Sequence, residues 1–273
     1  LETKPADIVV LAWLLVIGVT GFVVEGLRIV GTNDPWAAWS PIGNLFAPLF
    51  AGLSAAQVST AHQVLWWFHM AIAFGLMAYW MCSKLVHVLL VPATVYCRPL
   101  EPKGTLSYVD LEDEELEEFG VGKLEDFTWK DLLDAEACVR CGRCETVCPA
   151  HGSGKPLSPK DLMQALDAHL GERGPLVRAE RRAEAAGEAF EPTEEQRAVL
   201  DKALVGDVVA PEALWSCTTC GACMEACPAL LEHVPKVVGM RTYQVSMESA
   251  FPSEAKAAFR NLETNGNPWG LGW

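Results

Sequence analysis

The residues with the plainest chemistry are cysteines. Cys138, Cys141, Cys144 and Cys148, followed by Pro149, recur as Cys217, Cys220, Cys223 and Cys227, followed by Pro228. Both runs are C-x2-C-x2-C-x3-C-P. Soft thiolates at this spacing hold iron–sulfur cubanes: the two-residue gaps curl three sulfurs around one cluster, and the fourth cysteine leads away to the other. One 4Fe-4S cluster is therefore expected on Cys138, Cys141, Cys144 and Cys227, and a second on Cys217, Cys220, Cys223 and Cys148. A zinc site needs two pairs and has no use for a third cysteine and a proline repeated in register. A disulfide framework does not suit a domain expected in the cytoplasm. The other two of the ten cysteines, Cys82 and Cys97, read as packing residues.

Histidines form the second set. His69 and His87 are eighteen residues apart in an apolar stretch. On one continuous helix that is five full turns, so both imidazoles share a face about 27 Å apart along the axis. One imidazole near each leaflet is what two stacked b-type haems need as axial ligands. Hydrogen bonding to a neighbouring helix is the plainer reading, and geometry alone leaves the two open. His62, just outside the stretch, fits an interface or a quinone pocket.

Elements must hold these residues in place, and composition divides the chain into two parts. Residues 1–97 carry four acids and three bases, whereas residues 98–273 carry 31 acids and 18 bases, most of the formal charge of −14. An acidic chain with a pI near 4.8 argues against a nucleic-acid partner, which requires clustered Lys and Arg. Ile8–Val24 is 17 residues without charge and Gln63–Ser83 is 21. Each continues far enough to cross a bilayer core that takes about 20 helical residues. Transmembrane spans are expected at about 8–30 and 63–91, in place of two buried core helices. The loop 31–62 has no Lys or Arg, while Lys4, Lys84, Arg98 and Lys103 flank the other ends. Both termini are thus expected in the cytoplasm, with the ferredoxin part on that side of a bacterial or archaeal membrane. Asn44–Ala56 reads as a short interfacial helix.

The remaining boundaries follow. Residues 1–97 form the membrane domain, 98–130 an acidic linker and 131–273 a helical ferredoxin domain with two clusters. Asp110–Glu118 holds seven acids in nine residues, either solvated linker or a docking patch for a basic redox partner. Between the motifs, Ser158-Pro159 opens a helix over 160–170, with further helices expected at 178–188 and 194–204. Glu25 and Arg28 share a helix face and form an interfacial ion pair or contact a haem propionate or quinone. Lys84, one turn before His87, pairs with a propionate or simply snorkels to the interface.

The stretch Trp66–His69 through Lys84–His87, with Pro92 beyond, resembles the last helix of cytochromes b of the nitrate reductase gamma-subunit type. Thr20–Phe22 with Glu25–Ile29 resembles the helix before it. Phe127–Leu133, Trp215–Gly221, Glu232–Val234 and the closing Asn261–Glu263 with Gly266–Gly270 resemble heterodisulfide-reductase-like proteins. This likeness implies haem b ligation by His69 and His87. It implies a mainly α fold, in which two helices of a cytochrome b-type bundle precede an α-helical dicluster ferredoxin. It further implies a quinone-linked oxidoreductase passing electrons from an electron-transfer flavoprotein to menaquinone. Heterodisulfide- or sulfur-linked reduction and a membrane-tethered ferredoxin without haem are the alternatives. In such proteins each haem takes a second histidine from an earlier helix, and paired cysteines follow downstream. A further polypeptide segment is therefore expected to supply the partner ligands and a cysteine-rich domain.

Overall fold

The computed structural model describes residues 5–81, 83–101, 105–106 and 118–272. Cys82, the side chain of Lys84, and nearly all of the acidic run at 110–118 lie outside the described residues. The chain forms two compact units, residues 1–86 and 87–273. Among the described residues all regular structure is helical.

In the first unit, α1 spans Pro5–Thr32, α2 Pro41–Phe46 and α3 Ala55–Trp80. Helices α1 and α3 run antiparallel. Trp13 donates its indole N–H to the Ile72 carbonyl at 3.0 Å, His69 meets Thr20, and Val58 meets Gly31. Small residues allow the approach: a Cβ at Gly75 would sit 3.1 Å from the Trp13 ring. Ser54 and Gln57 close a capping box at the start of α3. The interfacial helix begins earlier than expected, because Pro41 is pre-set for a first helical position.

Among the described residues, α1 is the helix both long and apolar enough to cross a membrane. Helix α3 has the length, but Gln57, Ser59, Thr60, His62 and Gln63 dilute its first half. The continuous helix expected over 63–91 is not formed. Helix α3 stops at Trp80, a single 3-10 turn covers Lys84–Val86, and α4 starts afresh at His87 and ends at Tyr96. Ser83 makes the break: its hydroxyl accepts the Leu85 N–H at 3.3 Å and its carbonyl accepts the Val86 N–H at 3.0 Å. Such local bonds compete with the helical ladder. His69 and His87 therefore lie on separate helices.

Helix α4 belongs to the second unit. Leu90 and Val91 pack on that unit's core, and the fully buried Thr94 hydroxyl donates to the Ala229 carbonyl at 3.3 Å. Next come α5 (Trp129–Glu136), α6 (Arg143–Thr146), α7 (Pro149–Gly152) and α8 (Pro159–Ala186). Then follow α9 (Glu194–Leu200), α10 (Pro211–Ser216), α11 (Ala222–Glu225), α12 (His233–Ser246) and α13 (Ser253–Asn265). The helices expected at 160–170 and 178–188 are one, running through Pro175 and stopping at Gly187, whose φ of 71° ends it. Residues 120–127, expected as linker, are structural. Leu124 and Phe127 enter the core with Met163, Leu166, Leu214 and Met240, and Val121 N–H bonds the Gly239 carbonyl at 2.9 Å. Gly120, at φ 87°, lies so close to α12 that a Cβ would stand 2.4 Å from the Tyr243 nitrogen.

Candidate functional site

Each cysteine run folds as a loop with two left-handed residues in matching positions. They are Arg140 (φ 55°) and Gly142 (φ 77°) in the first, Thr219 (φ 53°) and Gly221 (φ 75°) in the second. Two such residues one apart wind the backbone tightly enough to turn three cysteines inward. The third cysteine of each run, Cys144 on α6 and Cys223 on α11, is buried. The fourth precedes a proline, and Pro149 opens α7.

These loops exchange their last cysteines. Cys138, Cys141, Cys144 and Cys227 line one cleft of about 320 Å³. Cys148, Cys217, Cys220 and Cys223 line another of about 400 Å³. The eight sulfurs are free of disulfides. They surround clefts and do not meet at a point: among the described residues no three His, Cys, Asp or Glu side chains close on a single-ion position. Burial pushes the Cys144 thiol up to about 12, with the neighbouring Cys138, Cys227 and Cys141 sulfurs adding to it. Burial and Cys217 likewise push Cys223 up to about 12. Four bare thiolates would repel one another in such a cleft, whereas metal coordination removes the thiol proton outright. The donor set and the room fit an iron–sulfur cluster in each cleft.

Behind the clefts lies a buried ionic network. The Lys236 ammonium, 1% exposed at its side chain, donates to Asp131 Oδ1 at 2.9 Å, Asp134 Oδ2 at 3.0 Å and the Glu232 carbonyl at 2.9 Å. Lys130 takes the other Asp134 oxygen at 2.5 Å. Three donors meet three acceptors, so the charge is fully satisfied. This network fastens the first turn of α12 to α5. His233, beside it, is 3% exposed, and its Nδ1 lies 3.2 Å from the Leu231 carbonyl. Burial and the Lys236 charge push the imidazole down to about 4. Sequence reasoning noted Glu232–Val234 only as a resemblance. No spacing rule marks a lone histidine five residues past a Cys-Pro pair, so its place among the clefts was not legible.

In the first unit, His69 is half-buried with its ring against α1. A Cβ at Gly21 would lie 3.2 Å from its Cε1, and its Nδ1 is 2.9 Å from the Thr20 hydroxyl. That hydroxyl has the Val16 carbonyl at 2.8 Å and the Ile17 carbonyl at 3.0 Å for its one proton. With that proton on either carbonyl, the hydroxyl accepts from Nδ1–H, and in that tautomer Nε2 carries the lone pair a metal ligand needs. His87 opens α4, in the other unit. Arg28 is engaged: it donates to both Glu25 oxygens, at 3.0 and 2.9 Å, and to Asp34. Ser40 donates to Glu25 at 2.9 Å. His62 is half-buried on α3, and Cys97 closes the segment after α4, away from both clefts.

Residues 1–101 match the nitrate reductase gamma subunit family, and residues 134–231 match the 4Fe-4S dicluster domain family. An "EtfAB:quinone oxidoreductase" of Syntrophomonas wolfei is 41% identical over 286 residues, covering 100% of this chain and 40% of that protein. A "Probable iron-sulfur-binding oxidoreductase FadF" of Bacillus subtilis is 36% identical, covering 95% of this chain and 40% of its own. A "Probable membrane-anchored ferredoxin" of Chromohalobacter salexigens is 39% identical over 61% of this chain and 24% of its own. The chain thus spans about 40% of the length of the first two relatives. No solved structure matches it. The chain thus joins a segment that matches the nitrate reductase gamma subunit family to one that matches the 4Fe-4S dicluster domain family, and along nearly its whole length it is similar to iron–sulfur oxidoreductases.

Proposed function

We propose that the chain is the electron-carrying segment of a membrane oxidoreductase that links an electron-transfer flavoprotein on the cytoplasmic side to the menaquinone pool. The observation that carries this reading is the crossed exchange of Cys148 and Cys227. It builds two four-sulfur clefts on a chain whose other half is of the cytochrome b type.

In this reading Cys138, Cys141, Cys144 and Cys227 hold one 4Fe-4S cluster and Cys217, Cys220, Cys223 and Cys148 the other. Haem b is ligated by His69 through Nε2 and by His87, with the partner ligands on sequence outside these residues. The cofactors supply one-electron chemistry. The chain's own residues fix their positions, exclude water and set their surroundings. Lys84 serves a haem propionate. Arg28, held by Glu25 and Asp34, is an interfacial anchor.

A second reading is a membrane-tethered ferredoxin without haem. That α3 ends at Trp80 and His87 opens α4 favours it, because the two histidines then do not share one helix. Membranes containing the chain should show b-type bands in a reduced-minus-oxidised spectrum. His69→Ala should weaken those bands while both clusters' EPR signals persist. A spectrum without b-type bands would leave the tethered ferredoxin. Haem reduction by an electron-transfer flavoprotein tests the donor; reduction by thiols alone points to a heterodisulfide- or sulfur-linked enzyme.

A further inference from the structure

The two cysteine clefts have separate walls with one exception. His233 lines both, and among the described residues it alone does so. Its neighbour Val234 packs against Cys144 of one set and Cys223 of the other. The first turn of α12 is therefore a wedge between the sets. Its tip is a residue that has spent its Nδ1 proton on the Leu231 carbonyl.

The wedge is dry and fixed. His233 is 3% exposed, and Leu231, Val234 and Val237 around it are buried. Lys236, one turn further on, is held by Asp131 and Asp134 of α5, so the wedge cannot withdraw without breaking a satisfied buried charge. A flexible or wet partition would need none of this fastening.

Resting on the two-cluster reading above, we propose that His233 is the positioning residue that keeps water from the inner wall shared by both cluster sites, whose outer rims carry the exposed Cys141 and Cys220, and so sets the two reduction potentials together. The physical consequence follows from charge. A cluster held by four thiolates gains a unit of negative charge on reduction, and water stabilises that extra charge. Removing the seal should therefore raise both potentials, and any side chain that fills the same space should restore them.

The test uses the full chain, purified without oxygen with its clusters in place, and follows each cluster by EPR during redox titration. In His233→Ala both midpoints should rise by an amount equal to about tenfold in the reduction equilibrium, which for one electron is about 59 mV. His233→Phe, a flat ring that more than fills the same space but has no ring nitrogens, should return both close to the parent values. A shift of one cluster alone would overturn the proposal. So would the absence of any shift in His233→Ala, or a Phe variant that fails to restore the potentials, which would give the role to the ring nitrogens. Loss of one cluster's iron in both variants would also overturn it, since His233 would then be holding that cluster. The underlying reading is checked separately: the unsubstituted chain should carry about eight non-haem irons, and fewer would sink the two-cluster assignment, not the role of His233.

Discussion

The two units hold His69 and His233 by opposite means. In the first, α1 turns most of its apolar side chains outward: Leu11 and Leu15 are 65% and 67% exposed. His69 is placed by one hydroxyl and one glycine. In the second, apolar side chains close on themselves, and His233 is placed by a turn bolted through four charged side chains. The contrast follows from solvent. A surface like that of α1 is stable only against lipid or further helices, where packing and small residues do the work. A domain in water must bury its own core, and a charge buried there has to be fully paired.

The largest effect is expected where that pairing is cut. Lys236→Met removes the ammonium but leaves Asp131 and Asp134 facing a buried position, so the second unit should lose about 3–5 kcal/mol. Loss of cluster absorbance on heating should come at a clearly lower temperature. Leu15→Ala on α1 should change the same midpoint in detergent far less, by about 0.5 kcal/mol or under, as for other substitutions on an outward face. Equal effects would erase the distinction between the units.

A middle-sized effect is expected at Thr20. Thr20→Val keeps the shape but removes the acceptor for His69 Nδ1–H, so the imidazole loses the bond that fixes its tautomer. Outer-shell partners of this kind are worth about 10- to 100-fold in metal affinity. The b-type haem content of membranes should fall accordingly, while Thr20→Ser, which keeps the hydroxyl, should retain it. Unchanged haem in Thr20→Val would mean that packing at Gly21 alone orients the ring.

How much of this was legible in the sequence varied with the range of the interaction. The crossed cysteine sets were readable because the chemistry of four sulfurs fixes their spacing locally, and the structure brings together the same two groups of four. The helix start at Ser158 was readable for the same reason, since a cap involves only the next three residues. The second apolar stretch misled. Hydropathy over 63–91 is continuous, but it carries no information about Ser83 diverting the backbone, or about Leu90, Val91 and Thr94 finding partners in another unit. Residues 120–127 looked like linker because the acidic run beside them dominates composition; the close fit of Gly120 onto α12 and the burial of Leu124 and Phe127 show otherwise. The Lys236 network joins residues about a hundred positions apart, and no periodicity reports that.

The smallest effect is one of pH, and it tests whether burial in the second unit also leaves a polar cost. His169 on α8 is 4% exposed, and its Nδ1 has no hydrogen-bond partner. Burial, with the nearby Arg173 and Lys202 charges, holds its imidazole below the ordinary histidine value. The unfolded chain then binds a proton that the folded chain resists. Stability is full above the unfolded value, near pH 6.5, and falls as the pH drops below it toward the depressed folded value. One such group contributes a slope of at most about 1.4 kcal/mol per pH unit. His169→Leu removes both the titration and the orphaned nitrogen. Its unfolding curve measured from pH 7.5 down to 5 should therefore be flatter than the parent's below about pH 6.5, by no more than that limiting slope, with no loss at pH 7.5. A parallel pair of curves would mean that Glu125 and Glu172 already offset the burial of His169.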